Sequence, residues 1–291
     1  MAEPVLHVPS LSAEPNPDAA ISVRGLTREY RRPRTSLRHA SAPVRALRGV
    51  NFDVAQGQRF GIVGESGCGK STLLRIISGL DRATSGTVMV EGTDITGLPD
   101  RRLGFLRERL QLVFQDPMGS LDPRMRVGQL IAEPLVAQGH GRSTARVAEL
   151  LEAVGLQPDA ARRYPHQFSG GQRQRISIAR ALAPEPHILV ADEPVSALDV
   201  SVRAQVLNLI ADLVEELELT LVFVSHDLSV VRHLCDTIAV MHEGVIVEMG
   251  LTESIYENPQ HPYTRTLLAA VPTLRKALTG ASAADLAEGV Q

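Results

Sequence analysis

The stretch "GESGCGKST" at residues 64–72 constrains this chain more than any other feature, because it lies directly after the apolar run "FGIV" and directly before "LLRIISGL". It matches GxxxxGK[ST], and the setting gives the pattern its meaning: a strand delivers the chain into a glycine-rich loop, and a helix starts where the loop ends. Gly64, Gly67 and Gly69 let the backbone wrap an anion closely with its N–H groups. Lys70 puts a positive charge on the outer phosphates, and Ser71 offers a hydroxyl to Mg2+. The whole loop, Gly64, Glu65, Ser66, Gly67, Cys68, Gly69, Lys70, Ser71 and Thr72, is therefore expected to bind ATP or GTP.

Such a loop needs a buried sheet behind it. "HILVA" at 187–191 and "LTLVFV" at 219–224 are unbroken apolar runs, the pattern of parallel strands covered on both faces. Between them Val202, Val206, Leu209 and Leu213 share one helical face, which outlines a right-handed strand, helix, strand crossover. Residues 21–63 read as strand-rich, residues 70–79 as a helix, "GTVMVEG" as a strand, and "QLVFQ" as a strand ending at Gln115. From about Pro117 to Arg163 the pattern turns helical, and "VGQLIAEPLVAQG" and "RSTARVAELLEAVGL" each end near a glycine. The expected fold class is α/β: a P-loop core with a strand-rich antiparallel subdomain and a helical insert at about 117–163.

Two further segments suit phosphate chemistry. In "HILVADEP", Asp192 stands at the carboxyl end of a strand, where it suits Mg2+ held directly or through water. Glu193 can accept a proton from, or orient, a water attacking a terminal phosphate. Adjacent acids alone could simply start a loop; the phosphate loop upstream favours chemistry, with ATP hydrolysis the preferred activity. The second segment, "FSGGQRQR" at 168–175, places Ser-Gly-Gly at a helix start, where unpaired N–H groups favour an anion. The chain thus carries two phosphate cradles but one phosphate-binding lysine.

A net charge of -3 and a pI near 6.3 give no global basic field, so nucleic acid is not the default partner. The two cysteines, Cys68 and Cys235, lack ligand spacing and suggest neither a disulfide framework nor a zinc site, which fits a reducing cytosol. No run approaches the roughly 18 apolar residues of a membrane span, so a membrane role is expected to come through a partner. Residues 1–20 read as a loose, disordered tail without a signal peptide, and Arg31, Arg32, Arg34 and Arg38 read as a solvated loop. Beside Lys70, the Cys68 thiol is a candidate for a lowered pKa and reactivity, with a merely tolerated cysteine as the plain alternative.

Over residues 21–250, the phosphate loop, "VFQDP", "FSGGQ", "ILVADEP", "SALD" and "VSHD" resemble, in order and spacing, the ATP-binding subunit of an ABC transporter. The resemblance implies an ABC ATPase core that binds ATP and Mg2+. It implies an adenine stack for Tyr30, contact with Mg2+ and the attacking water for Gln115, and contact with the terminal phosphate for His226. It further implies that two such units pack head to tail, so that Ser169, Gly170, Gly171 and Gln172 cover the nucleotide held by the neighbour, with Asp199 coupling the two sites. Ser71, Gln115 and Asp192 would then be the metal contacts.

"SIYENPQHPYTRTLLAAVP" and "GSLDPRMRVGQLIAEPL" resemble the peptide, dipeptide and nickel importer branch, with residues 251–291 as its C-terminal extension. With no cysteine after Cys235, the chain resembles the subunit type without an iron–sulfur cluster. By itself, "HPYTR" at 261–265 also reads as an ordinary turn that starts a helix. The resemblance implies a second, related ABC ATPase subunit, two membrane permease subunits and, indirectly, an extracytoplasmic solute-binding protein. The chain would sit on the cytoplasmic face of the membrane. The alternatives are an importer ATPase for nickel or another small solute, a soluble ABC ATPase acting on ribosomes or DNA, or a regulatory nucleotide binder, which should lack Glu193 or His226.

Overall fold

The apolar runs assemble into two sheets in a computed structural model that describes residue 8, residues 11–30 and residues 43–270. The arginines of 31–38 and the part of the C-terminal extension beyond 270 lie outside the described residues. The order is β1 Ile21–Tyr30, β2 Val44–Val54, β3 Arg59–Val63, α1 Lys70–Ile77, β4 Ser85–Val90, β5 Thr93–Asp94, α2 Gly104–Arg109 and β6 Leu110–Val113. The helices α3 Pro117–Ser120, α4 Val127–Ala137, α5 Thr144–Ala153 and α6 Gly170–Leu182 follow. Then come β7 Ile188–Asp192, α7 Val200–Glu216, β8 Thr220–Ser225, α8 Leu228–Leu234, β9 Thr237–His242, β10 Val245–Leu251, α9 Thr252–Glu257 and α10 Pro262–Ala269.

The larger sheet runs β10-β9-β3-β8-β7-β6, and the smaller β2-β1-β4-β5. In the larger, β3 is parallel to both β8 and β9, and β7 to both β6 and β8, so β3 lies inside the sheet and aims its loop at the centre of one edge. The strand β10 alone is antiparallel, returned by Glu243 and Gly244 with φ of 44° and 84°, the geometry of a tight hairpin. The smaller sheet is wholly antiparallel.

Side-chain alternation divides the larger sheet between two cores. Phe60, Ile62, Val190, Val222 and Val224 pack with Leu73, Leu74 and Ile77 of α1 and with the antiparallel sheet. Val63, Leu189, Ala191, Leu221 and Phe223 face the other way, toward α4 to α8. On α7 the buried stripe is Val206, Leu207, Ile210, Leu213 and Val214, with Val202 and Leu209 half-buried at its margins. At Gly61 a Cβ would stand 2.3 Å from Val231 Cγ1, which is why α8 lies so close on β3.

Three local features differ from the sequence-based expectation. The strand β6 ends at Val113, opposite Ala191, and Gln115 lies beyond it in an exposed connection. Asp116 then caps α3 and Pro117 takes its first position, which turns the chain out of the sheet. Residues 11–20, expected within a loose tail, lie along the antiparallel sheet: Arg24, paired with Asp53 at 2.7 Å, donates to the Ser12 carbonyl at 2.8 Å, and Ala20 is buried. Helix α2 carries no strong apolar period and was not anticipated.

Candidate functional site

The phosphate loop is shaped by glycines where other residues could not pass. Gly64 leaves β3 so close to β9 that a Cβ would sit 2.2 Å from the Met241 carbonyl oxygen. Gly69, at φ 111°, is the N-cap of α1 and passes Ala46 with equally little room. It carries no side-chain cap, so the first N–H groups of α1 remain directed at the loop. Lys70 is buried, and its Nζ donates to the carbonyls of Gly64 at 2.7 Å and Glu65 at 2.9 Å. A buried ammonium held by two neutral carbonyls, with the Cys68 Sγ at 3.9 Å, has a donor it can turn to an anion. Glu65, Ser66 and Gly67 stay exposed on the loop's outer side.

Cys68 corrects the expectation of a reactive thiol. It is 7% exposed, and burial pushes its thiol above the usual range, outweighing the opposing pull of Lys70. Its side chain packs in the core with Sγ 3.9 Å from Lys70 Nζ, and its carbonyl accepts from the Gly244 N–H at 2.9 Å. Cys68 and Cys235 are both free and buried.

The ends of three parallel strands bring the remaining polar groups to this edge. Glu193, just past β7, adopts the left-handed φ of 44°, held by its N–H to the Val224 carbonyl at 3.0 Å and by Ser196 on its own carbonyl. Its Oε2 lies 2.9 Å from Nδ1 of His226, beyond β8, and 3.5 Å from Nε2 of Gln115, beyond β6. Asp192 Oδ1 lies 3.5 Å from Ser71 Oγ. Ser71 and Asp192 present the hard oxygen donors that suit Mg2+, a cation that takes few protein ligands and completes its shell with phosphate and water.

Burial raises the Asp192 carboxyl above the usual carboxylate range, partly offset by the Ser71 hydroxyl and by Lys70. A raised folded-state pKa favours the neutral acid, so its stability contribution is full below the unfolded carboxyl pKa and is lost as pH rises through the folded one. Asp192→Asn is therefore expected to raise the urea midpoint of the ligand-free chain at pH 7, the gain shrinking as pH falls to 4. A gain independent of pH would refute this account of Asp192.

Other expected site residues stand apart. Ser169 is the N-cap of α6 in a reciprocal pair with Gln172: Ser169 Oγ accepts from Gln172 N at 3.3 Å, and Gln172 Oε1 accepts from Ser169 N at 3.0 Å. Ser169 and Gln172 are exposed, Gly170 is half-buried, and a Cβ on the buried Gly171 would meet Val202 Cγ1 at 2.2 Å. Among the described residues, no hydrogen bond links 169–172 to 64–72. Asp199 caps α7 and is exposed, its carboxyl held below the usual range by the Val202 N–H, and Val200 beside it is 82% exposed. Tyr30 points its hydroxyl at Asp81 (2.7 Å), past the far end of α1, with the Arg28 guanidinium 4.4 Å over its ring.

Sequence reasoning missed Tyr263 and His242. "HPYTR" does start a helix, with His261 as N-cap and Pro262 first. The same turn lays Tyr263 on His242 with ring centroids 3.9 Å apart, and its hydroxyl accepts from the Glu65 N–H at 3.1 Å. No local signal could show this, since the partners are 198 residues apart.

A model of the ABC transporter family matches residues 47–196, and one of the oligopeptide/dipeptide transporter C-terminal region matches 247–288. The chain is 53% identical over 87% of its length to the oligopeptide transport ATP-binding protein OppD of Mycobacterium tuberculosis, of which it spans 42%. It is 48% identical over 87% of its length to a peptide import ATP-binding protein of Brucella ovis, spanning 78% of that protein. It is 46% identical over 88% of its length to the di/tripeptide transport ATP-binding protein DppF of Pseudomonas aeruginosa, spanning 80%. Among solved structures it resembles the dimeric ATP-binding cassette MJ0796 bound to ADP and Pi, with a TM-score of 0.71 and 32% identity over 80% of this chain and 98% of that one.

Proposed function

The chain belongs to the ABC transporter family of ATP-binding subunits, and on that premise we propose that it hydrolyses ATP to drive peptide uptake through separate membrane permeases. The observation that carries the ATPase reading is the meeting of Glu193 with His226 and Gln115 beside the phosphate loop. The match of residues 247–288 to the oligopeptide/dipeptide transporter C-terminal region, and the relatives' peptide-import names, support peptide over nickel or another small solute.

In this reading the loop amides and the start of α1 hold the phosphates of ATP, and Lys70 exchanges the Glu65 carbonyl for the outer phosphates while the Gly64 carbonyl keeps it stationed. Ser71 and Asp192 would hold Mg2+, with Gln115 as a further contact; when bound, the ion neutralises phosphate charge. Glu193 accepts the proton of the attacking water, Gln115 orients that water, and His226 fixes the Glu193 carboxylate and reaches the terminal phosphate. Tyr30 turns from Asp81 to stack on adenine. Ser169, Gly170, Gly171 and Gln172 complete the site of a second ABC ATPase subunit, and Asp199, beside the exposed Val200, couples the two sites at the seam.

Among the described residues no helix is long and apolar enough to cross a membrane, so attachment to the cytoplasmic face runs through the permeases. An extracytoplasmic solute-binding protein would deliver the peptide. The test is recovery of the tagged chain from detergent-solubilised membranes, followed by ATP-driven uptake of a labelled peptide in proteoliposomes. Co-purifying permeases and peptide uptake are expected. Recovery with ribosomes and no membrane protein rejects the importer, and uptake of nickel without peptide replaces the substrate.

A further inference from the structure

The segment after β10 returns to the phosphate loop and is tied down along the way. Glu248 on β10 is 3% exposed, and its carboxylate accepts from the backbone N–H of Gln260 at 2.8 Å and of His261 at 3.1 Å. A buried carboxylate satisfied by two amides fixes both partners firmly. Arg265 Nε donates to the Pro259 carbonyl at 2.9 Å, and the Tyr263 N–H to His261 Nδ1 at 3.2 Å, which locks the turn into α10. Thr264 is fully buried. The arm therefore reaches the loop as a braced element.

Its tip meets the peptide unit joining Gly64 and Glu65. The N–H of that unit donates to the Tyr263 hydroxyl at 3.1 Å, while its carbonyl, on Gly64, accepts from Lys70 Nζ at 2.7 Å. The two bonds leave opposite edges of one planar amide, so each polarises the group in the sense that strengthens the other. If the plane turned, the Gly64 carbonyl would leave Lys70 and the Glu65 N–H would lose its partner. Burial pushes the Tyr263 hydroxyl above the usual tyrosine range, and the ring is steadied by the stacked His242 ring.

We propose that Tyr263 is a positioning residue of the nucleotide site: the C-terminal arm holds the Gly64–Glu65 peptide in the orientation that stations Lys70, and so raises the affinity for ATP. The proposal rests on the phosphate loop being the ATP site. The arm acts before chemistry, so it changes binding and leaves the step at Glu193 alone.

The experiment measures ATP affinity by calorimetry on the full chain, with steady-state kinetics and an unfolding midpoint for each variant. Tyr263→Phe keeps the stack on His242 and removes only the acceptor. It is expected to weaken ATP binding and raise KM about three- to ten-fold, the worth of one hydrogen bond, with kcat unchanged and the midpoint lowered by no more than that one bond. His242→Ala should weaken binding in the same direction, and His242→Phe, which restores a stacking ring, should recover it. Unchanged affinity in both Tyr263→Phe and Tyr263→Ala overturns the proposal, as does a loss that only tracks a fall in kcat and midpoint. A wild-type chain that fails to bind ATP, or a Lys70→Ala chain that binds it normally, instead sinks the reading of the loop itself.

Discussion

Glu193→Gln should leave ATP bound and bring its hydrolysis nearly to a halt. A side chain that takes a proton from the attacking water supplies about 100- to 10,000-fold of rate, and the amide cannot take that proton. The substitution keeps the size of the side chain and an oxygen that can accept from His226, whose Nδ1 lies 2.9 Å from the carboxylate. Among the described residues Glu193 makes no hydrogen bond or ion pair with Lys70 or with the loop, so affinity should stay within about two-fold of wild type. The measurement is single-turnover hydrolysis beside equilibrium binding. Hydrolysis at the wild-type rate would remove Glu193 from the chemistry and leave its left-handed backbone without a functional reason.

Ser169→Asp should be nearly as damaging, for a reason outside the fold of this chain. Aspartate caps a helix as well as serine does, so α6 should keep its start and the chain its stability. Across the seam the new carboxylate would face a terminal phosphate, replacing a donor with a like charge. Loss of one such donor costs about 100- to 1,000-fold, and repulsion adds to it. Binding of ATP to the isolated variant should be unaffected, since among the described residues no hydrogen bond links the 169–172 turn to 64–72. Where the chain pairs with itself, mixing Ser169→Asp with Lys70→Ala chains should restore activity, because one of the two mixed sites then combines an intact lysine with an intact serine. No recovery in a demonstrated mixed dimer would disprove the shared site, and so would full activity from a monomeric Ser169→Asp chain.

The C-terminal region divides cleanly between what was legible and what was not. The turn at His261 and Pro262 was readable because N-caps and first-position prolines act over four or five residues. The contact of Tyr263 with Glu65 was not, because it depends on how β10, Glu248 and the arm pack against β9. Cys68 teaches the same lesson in reverse. Its neighbour Lys70 argued for an activated thiol, but the side chain turns into the core, and desolvation outweighs a charge two residues away.

By itself the sequence determined the phosphate loop, the buried parallel strands and the helix starts at Ser169 and Pro262. Each of these depends on consecutive residues: glycines that permit a conformation, apolar runs that must leave water, side chains that reach an amide three positions on. Only the tertiary structure decided that β1 and β2 join one sheet while β3 enters another, and that Gln115 and His226 meet Glu193 from 78 and 33 residues away. Those outcomes follow from strand order and from which face of the sheet each helix covers. The burial of the whole chain fixes both, and no short run of it encodes either.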